Sequence, residues 1–165
     1  MRYNKEIQKL ADQCAQEEDY LCASYLGQYK DSFVFEPMYE DNSPRCTGLP
    51  CLIFVQDGVA TLWQELDICS VYKKTHYRGA AGRRIVERYR RMIRLNNFRS
   101  EEHRNYICSI IVYLNSPFAS KTQLYQYVEI AERLGKRLEF FTLEDQSQHR
   151  YTPDGEYTEQ FIRIV

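Results

Sequence analysis

Ile7, Leu10, Ala11 and Cys14 recur at the i, i+3, i+4, i+7 spacing with charged residues between them, which predicts an amphipathic helix over residues 4–16. Two aromatic and β-branched runs follow, Tyr20 to Lys30 and Phe33 to Tyr39, joined at Lys30-Asp31-Ser32, and read as a hairpin. Pro37 cannot donate to a ladder, so the second strand is expected to lie at an edge or to bend there. Residues 40–50 have loop composition and are a candidate recognition loop. A short apolar strand, Cys51 to Gln56, then meets Asp57-Gly58, a strong two-residue hairpin turn, and continues as Val59 to Trp63. The period between residues 64 and 77 favours no element.

The second half changes period. Ile85, Val86, Tyr89, Met92 and Ile93 form one stripe of a helix from Gly82 to about Asn97. Ser100 is placed to cap another, with Glu101 and Glu102 suited to the positive helix end. Tyr106, Ile107, Ile110, Ile111 and Leu114 keep the helical period, although their β-branched content leaves a buried strand as the alternative. Ser120 with Gln123 resembles a capping box, and Gly135 sits where a helix-ending glycine belongs after Leu124, Tyr127, Val128 and Leu134. Two terminal strands, Arg137 to Leu143 and Tyr157 to Val165, flank a polar loop ending in Pro153-Asp154-Gly155. Segregated runs of strands and helices mean α+β: an antiparallel sheet of hairpins with about four helices, clustered in the N-terminal segment and the second half. At 165 residues the chain is expected to form a single α+β domain over 1–165.

Composition narrows this little. No apolar run reaches the ~18 residues a membrane helix needs, and the N-terminus lacks a signal-type apolar region, so no membrane role and a cytoplasmic location are expected. The six cysteines show no disulfide framework, and reduced thiols are expected. Trp63, the one tryptophan, is expected in the core. Tyr25, Tyr29, Phe33, Phe35 and Tyr39 alternate along the first hairpin, one face in the core and the other free to form an aromatic contact surface.

Charge changes the picture more. The chain holds 22 basic and 23 acidic residues, yet residues 73–104 carry eleven basic against three acidic ones, a segment charge of +8 beside −9 for the remainder. On a helical wheel Arg83, Arg84, Arg88, Arg90, Arg91 and Arg94 fall opposite the apolar stripe, so six guanidinium groups are expected to face outward together. Arginine pairs bidentately with carboxylate or phosphate. These six are the candidate binding residues, for an acidic protein surface or for nucleic acid. A solvated face paired with the chain's own acidic residues is the structural alternative, and the opposed charges also allow a homo-oligomer.

Chemistry-bearing patterns are sparse. Gly79-Ala80-Ala81-Gly82-Arg83-Arg84-Ile85 resembles the Gly-x-x-Gly loop of KH domains, which clamps a nucleic-acid backbone. That family has apolar residues where Tyr77 and Arg78 stand and two strands after the helix, where this chain has a helical pattern, so kinship is not adopted. His76, His103 and His149 share no metal-ligand spacing, and Cys46 and Cys51 lack a second ligand pair. Neither a Walker A loop nor Gly-x-Ser-x-Gly is present. The expectation is therefore a binding or interaction module without catalytic, metal or cofactor residues. Nucleic-acid binding through the same arginines is the alternative, and an enzyme with an unpatterned site the second alternative.

Overall fold

The computed structural model describes residues 2–45, 50–64, 68–75, 79–117, 119–142, 150–152, 155–157 and 160–165. The chain divides into two compact units, Met1–Arg78 and Gly79–Val165. The class is α+β, as the pattern predicts.

The first unit is a four-stranded antiparallel meander: β1 (Cys22–Tyr29), β2 (Ser32–Met38), β3 (Leu52–Gln56) and β4 (Val59–Trp63), in that spatial order. Its turns are tight. Tyr29 faces Ser32 across Lys30-Asp31, and Gln56 faces Val59 across Asp57-Gly58. Asp57 and Gly58 have φ of 50° and 78°, the left-handed pair that matches strand twist in a two-residue hairpin. Pro37 lies on an inner strand, so of the edge or bend expected there the edge does not hold for β2 as a whole. It is tolerated because β3 pairs only with Phe33, Val34 and Phe35, so no ladder bond is lost at position 37.

Helix α1 (Lys5–Glu17) starts where the Asn4 side chain accepts from the Glu6 and Ile7 amides. It buries Ile7, Ala11 and Ala15 against Ala23, Tyr25, Phe33, Phe35, Ile53 and Val55. The same helix closes the outer edge of β1. Asp12 accepts from the Ala23 amide at 2.9 Å, and Gln8 donates to the Ala23 carbonyl at 2.9 Å. Leu26 is a bulge residue between the pairs Tyr25–Phe35 and Gly27–Val34. The extra residue turns its side chain to the other face, where Leu26, Val34 and Leu52 meet Ile68 and Val71 of α2 (Ile68–Lys74). The ambiguous stretch thus contains a short helix. Tyr25, Phe33 and Phe35 share the α1 core, so the hairpin rings do not form an exposed row. Trp63 departs from its expected core position. It sits on edge strand β4, is 45% exposed, and lies 5.1 Å from Phe54, ring to ring.

The second unit contains α3 (Ala80–Arg94), α4 (Glu101–Asn115) and α5 (Lys121–Leu134), then β5 (Leu138–Thr142), β6 (Arg150–Thr152), β7 (Gly155–Tyr157) and β8 (Gln160–Ile164). β5 pairs antiparallel with β8, and β6 with β7. The β6–β7 pair falls in the stretch expected as loop; Pro153 and Asp154 lie outside the described residues. Ser100 caps α4 by accepting from the His103 amide, and Ser120 caps α5 by accepting from the Gln123 amide. Gly135 ends α5 in the left-handed conformation at φ 65°. These caps settle residues 101–115 as helix over the strand alternative. α4 lies on the β5–β8 pair: Tyr113 stacks on Phe140 at 4.9 Å, and the Tyr106 hydroxyl accepts from the Leu138 amide at 3.2 Å.

Candidate functional site: the arginine face of helix α3

Two glycines decide how α3 is held. A Cβ on Gly82 would stand 1.8 Å from the Tyr125 carbonyl oxygen, and one on Gly79 would stand 2.7 Å from the Tyr125 Cβ. Gly79, at φ 62°, is also in the region that favours glycine. The Gly-x-x-Gly pattern is therefore a close helix crossing. Further along, the Tyr89 hydroxyl donates to Glu132 at 2.5 Å. Gly82–Tyr125 and Tyr89–Glu132 share the residue offset of 43, so α3 and α5 run in the same direction. Gly82, Val86 and Tyr89 are the buried line of α3. Ile93, expected in that stripe, is 36% exposed because α5 ends at Leu134, before the register reaches it.

This crossing divides the six candidate arginines. Arg88 donates to Glu132 at 2.9 Å, joining the Tyr89 hydroxyl on one carboxylate. Glu129, one turn earlier on α5, is half-buried and accepts from the Gly82 amide. That amide is one of the orphan donors of the α3 N-terminus, where Gly79 offers no side-chain cap and the first turn holds no acid. Burial pushes the Glu129 carboxyl above the ordinary carboxylate range, opposed by Arg133, the Gly82 amide and Arg84. Burial also raises the Tyr89 hydroxyl, and its bond to Glu132 adds to the shift. All six arginines are exposed; Arg88 and Arg84 differ from the rest in having carboxylates of α5 close by, Glu132 bonded to Arg88 and Glu129 under the influence of Arg84.

The other four are placed differently. Arg83 lies over the Tyr125 ring at 5.5 Å, and Arg90 pairs with Glu87 one turn away at 2.8 Å. Arg91 and Arg94 are exposed and make no ion pair among the described residues. They are i, i+3 neighbours, and Arg90 and Arg94 are i, i+4, so the three stand together on the helix surface. Such like-charge neighbours cost about 0.2–0.5 kcal/mol per pair, a cost that a bound anion would remove. Arg94 gains something back from the helix C-terminal dipole.

The remaining candidates do not assemble. His103 lies at the start of α4 and accepts from the Arg99 amide at 3.4 Å. His76, His149 and Cys46 lie outside the described residues, as do 46–49 of the candidate recognition loop. Among the described residues no group of three or more His, Cys, Asp or Glu could hold a metal ion, and no helix is long and apolar enough to cross a membrane. Beside that loop, Tyr20 and Cys51 are linked at 3.2 Å, and Asp41 binds Ser43 and Arg45. Burial raises the Asp41 carboxyl, but the Ser43 hydroxyl and amide and the Arg45 guanidinium outweigh it and leave it below the ordinary value. The sequence missed Glu129 and Glu132, whose spacing of three on α5 matches the four-residue step between Arg84 and Arg88 only once the parallel register is known. Compared with known protein families, curated proteins and solved structures, the chain matches none.

Proposed function

We propose that the protein is an interaction module, acting in the cytoplasm, that recognises an acidic protein surface through Arg91 and Arg94, with Arg83 and Arg90 flanking them. The observation that carries this is the division along α3. Arg88 pairs with Glu132 and Arg84 acts on Glu129, whereas Arg91 and Arg94, exposed like the others, make no ion pair among the described residues and stand beside Arg90 with Glu87 as the helix's single acid. A formed helix needs no backbone ordering on binding, and each guanidinium offers carboxylates a bidentate fork. Arg84 and Arg88 serve this face by fixing α3 on α5.

A second reading, nucleic-acid binding, draws on the same arginines, since phosphate suits the guanidinium fork equally well. Titration with poly-glutamate and with single- and double-stranded oligonucleotides across a salt series separates the two. The first reading expects saturable binding of poly-glutamate in preference to the oligonucleotides. Preference for the oligonucleotides, with log affinity falling linearly against log salt, supports the second. No binding to either at low salt removes both.

A further inference from the structure

The two edges of the four-stranded sheet differ in how they meet other chains. At β1 the Ala23 amide and carbonyl are taken by Asp12 and Gln8, and the Leu26 bulge bends the strand, two devices that block strand addition. β4 has neither. Its five residues, Val59-Ala60-Thr61-Leu62-Trp63, contain no charge and no proline, and its register with β3 runs without a shift.

The hairpin fixes which backbone groups are left over. Gln56 and Val59 close a two-residue turn and so form a bonded pair, after which bonded and non-bonded pairs alternate. Val59, Thr61 and Trp63 therefore bond to β3, whereas Ala60 and Leu62 turn their N–H and C=O groups away from it. Neither finds a further backbone partner among the described residues, and the Leu62 amide has near it the Cys14 sulfur of α1, a weak acceptor. Side chains alternate too. Ala60 and Leu62 join the α1 core, while Val59 (64% exposed), Thr61 and Trp63 (45% exposed) stand in water on the other face. Large apolar groups left in water carry a standing cost and mark contact sites.

This edge is complementary to itself. When a second copy of β4 lies antiparallel about Thr61, Ala60 falls opposite Leu62 of the second copy, and Leu62 opposite its Ala60. Every left-over N–H and C=O of both strands then has a partner. On the exposed face Val59 meets Trp63 of the second copy, an aliphatic-aromatic pairing of the kind that stabilises sheets, and Thr61 meets its own image. Sliding the copies by two residues either way leaves one of the two bonded pairs unmade. We propose that β4 is the interface of a symmetric homodimer, joined antiparallel about Thr61 into one sheet with four strands from each copy. A two-fold pairing uses the open edge of both copies, so assembly stops at two. Five residues a side bury less than the ~1,200 Å² of stable complexes, so the dimer is weak and reversible. The interface belongs to the first unit and stands independently of the arginine face.

The test sediments the full chain across a dilution series at low and at high salt. A monomer–dimer equilibrium is expected, with a dissociation constant on the order of 100 µM and no larger species. It should persist at high salt, where association through opposed surface charges would be screened away. Thr61→Lys sets two like charges face to face at the two-fold axis, and so does Thr61→Glu. Each alone should weaken the dimer by about fivefold or more, with the melting temperature of the dilute protein unchanged. Mixed in equal amounts, the two variants should associate at least as tightly as the parent, because opposite charges now meet across the axis. A chain that stays monomeric up to about 1 mM, far above the expected constant, would overturn the assignment. So would association that vanishes at high salt or grows past two, single variants as tight as the parent, or a mixture that stays apart.

Discussion

Arg84 and Arg88 differ from Arg91 and Arg94 in what lies across from them, although all four belong to one 15-residue helix. Opposite the first pair stand Glu129 and Glu132 of α5, held in step by the close passage of Gly82 over Tyr125. The second pair makes no ion pair among the described residues. A density of like charge in a sequence is therefore not itself a site. The neighbouring helix decides which charges become structural and which remain available, and it does so through two glycines that carry no charge.

The largest effect should come from removing that register. Gly82→Ala forces a Cβ to within 1.8 Å of a backbone oxygen, and overpacking of this kind costs about 3 kcal/mol. Chemical denaturation should show the loss, together with weaker binding by Arg91 and Arg94 as α3 leaves α5. If Gly82→Ala is as stable as the parent, the crossing is not the anchor described here. Glu132→Ala should cost less, about 1 kcal/mol, because the Tyr89 hydroxyl and Arg88 lose one shared acceptor that is partly in solvent. Its effect should shrink in an Arg88→Ala background, a coupling that a double-mutant cycle would measure.

Glu129 gives a pH signature of a definite sign. Its folded-state pKa is raised above the ordinary 4.5, so the folded chain holds this proton more tightly than the unfolded chain. Its contribution to stability is then least favourable at neutral pH and improves as pH falls through the raised value toward the ordinary one. Glu129→Gln keeps an acceptor for the Gly82 amide and should remove this part of the pH dependence. An identical profile in both proteins would mean that Glu129 is not buried against α3. The smallest stability effect belongs to Arg91→Gln with Arg94→Gln, within about 0.5 kcal/mol of the parent, as for exposed residues without partners.

Much of this was legible from residue pattern, and the limits have physical causes. Ser100 and Ser120 cap helices where the polar-to-apolar transition places them, and Asp57-Gly58 makes its two-residue turn, because these signals are local. Trp63 could not be placed from composition, since the α2 cover that stops short of β4 is a tertiary fact. Pro37 misled because a proline reports on its own missing hydrogen bond, not on whether its strand is an edge elsewhere along its length. The arginine helix was legible as a run of charge. Its division was not, because it depends on the parallel register of α3 and α5, which no spacing within either helix encodes.

The most direct test compares two neutralised pairs at equal stability and salt. Poly-glutamate binding is measured for the parent, for Arg91→Gln with Arg94→Gln, and for Arg84→Gln with Arg88→Gln. Loss of about tenfold or more in the first variant, with near-parental binding in the second, is the predicted result. Parental binding in the first variant, or a loss confined to the second, would contradict the division of α3 into a structural and a recognising set of arginines.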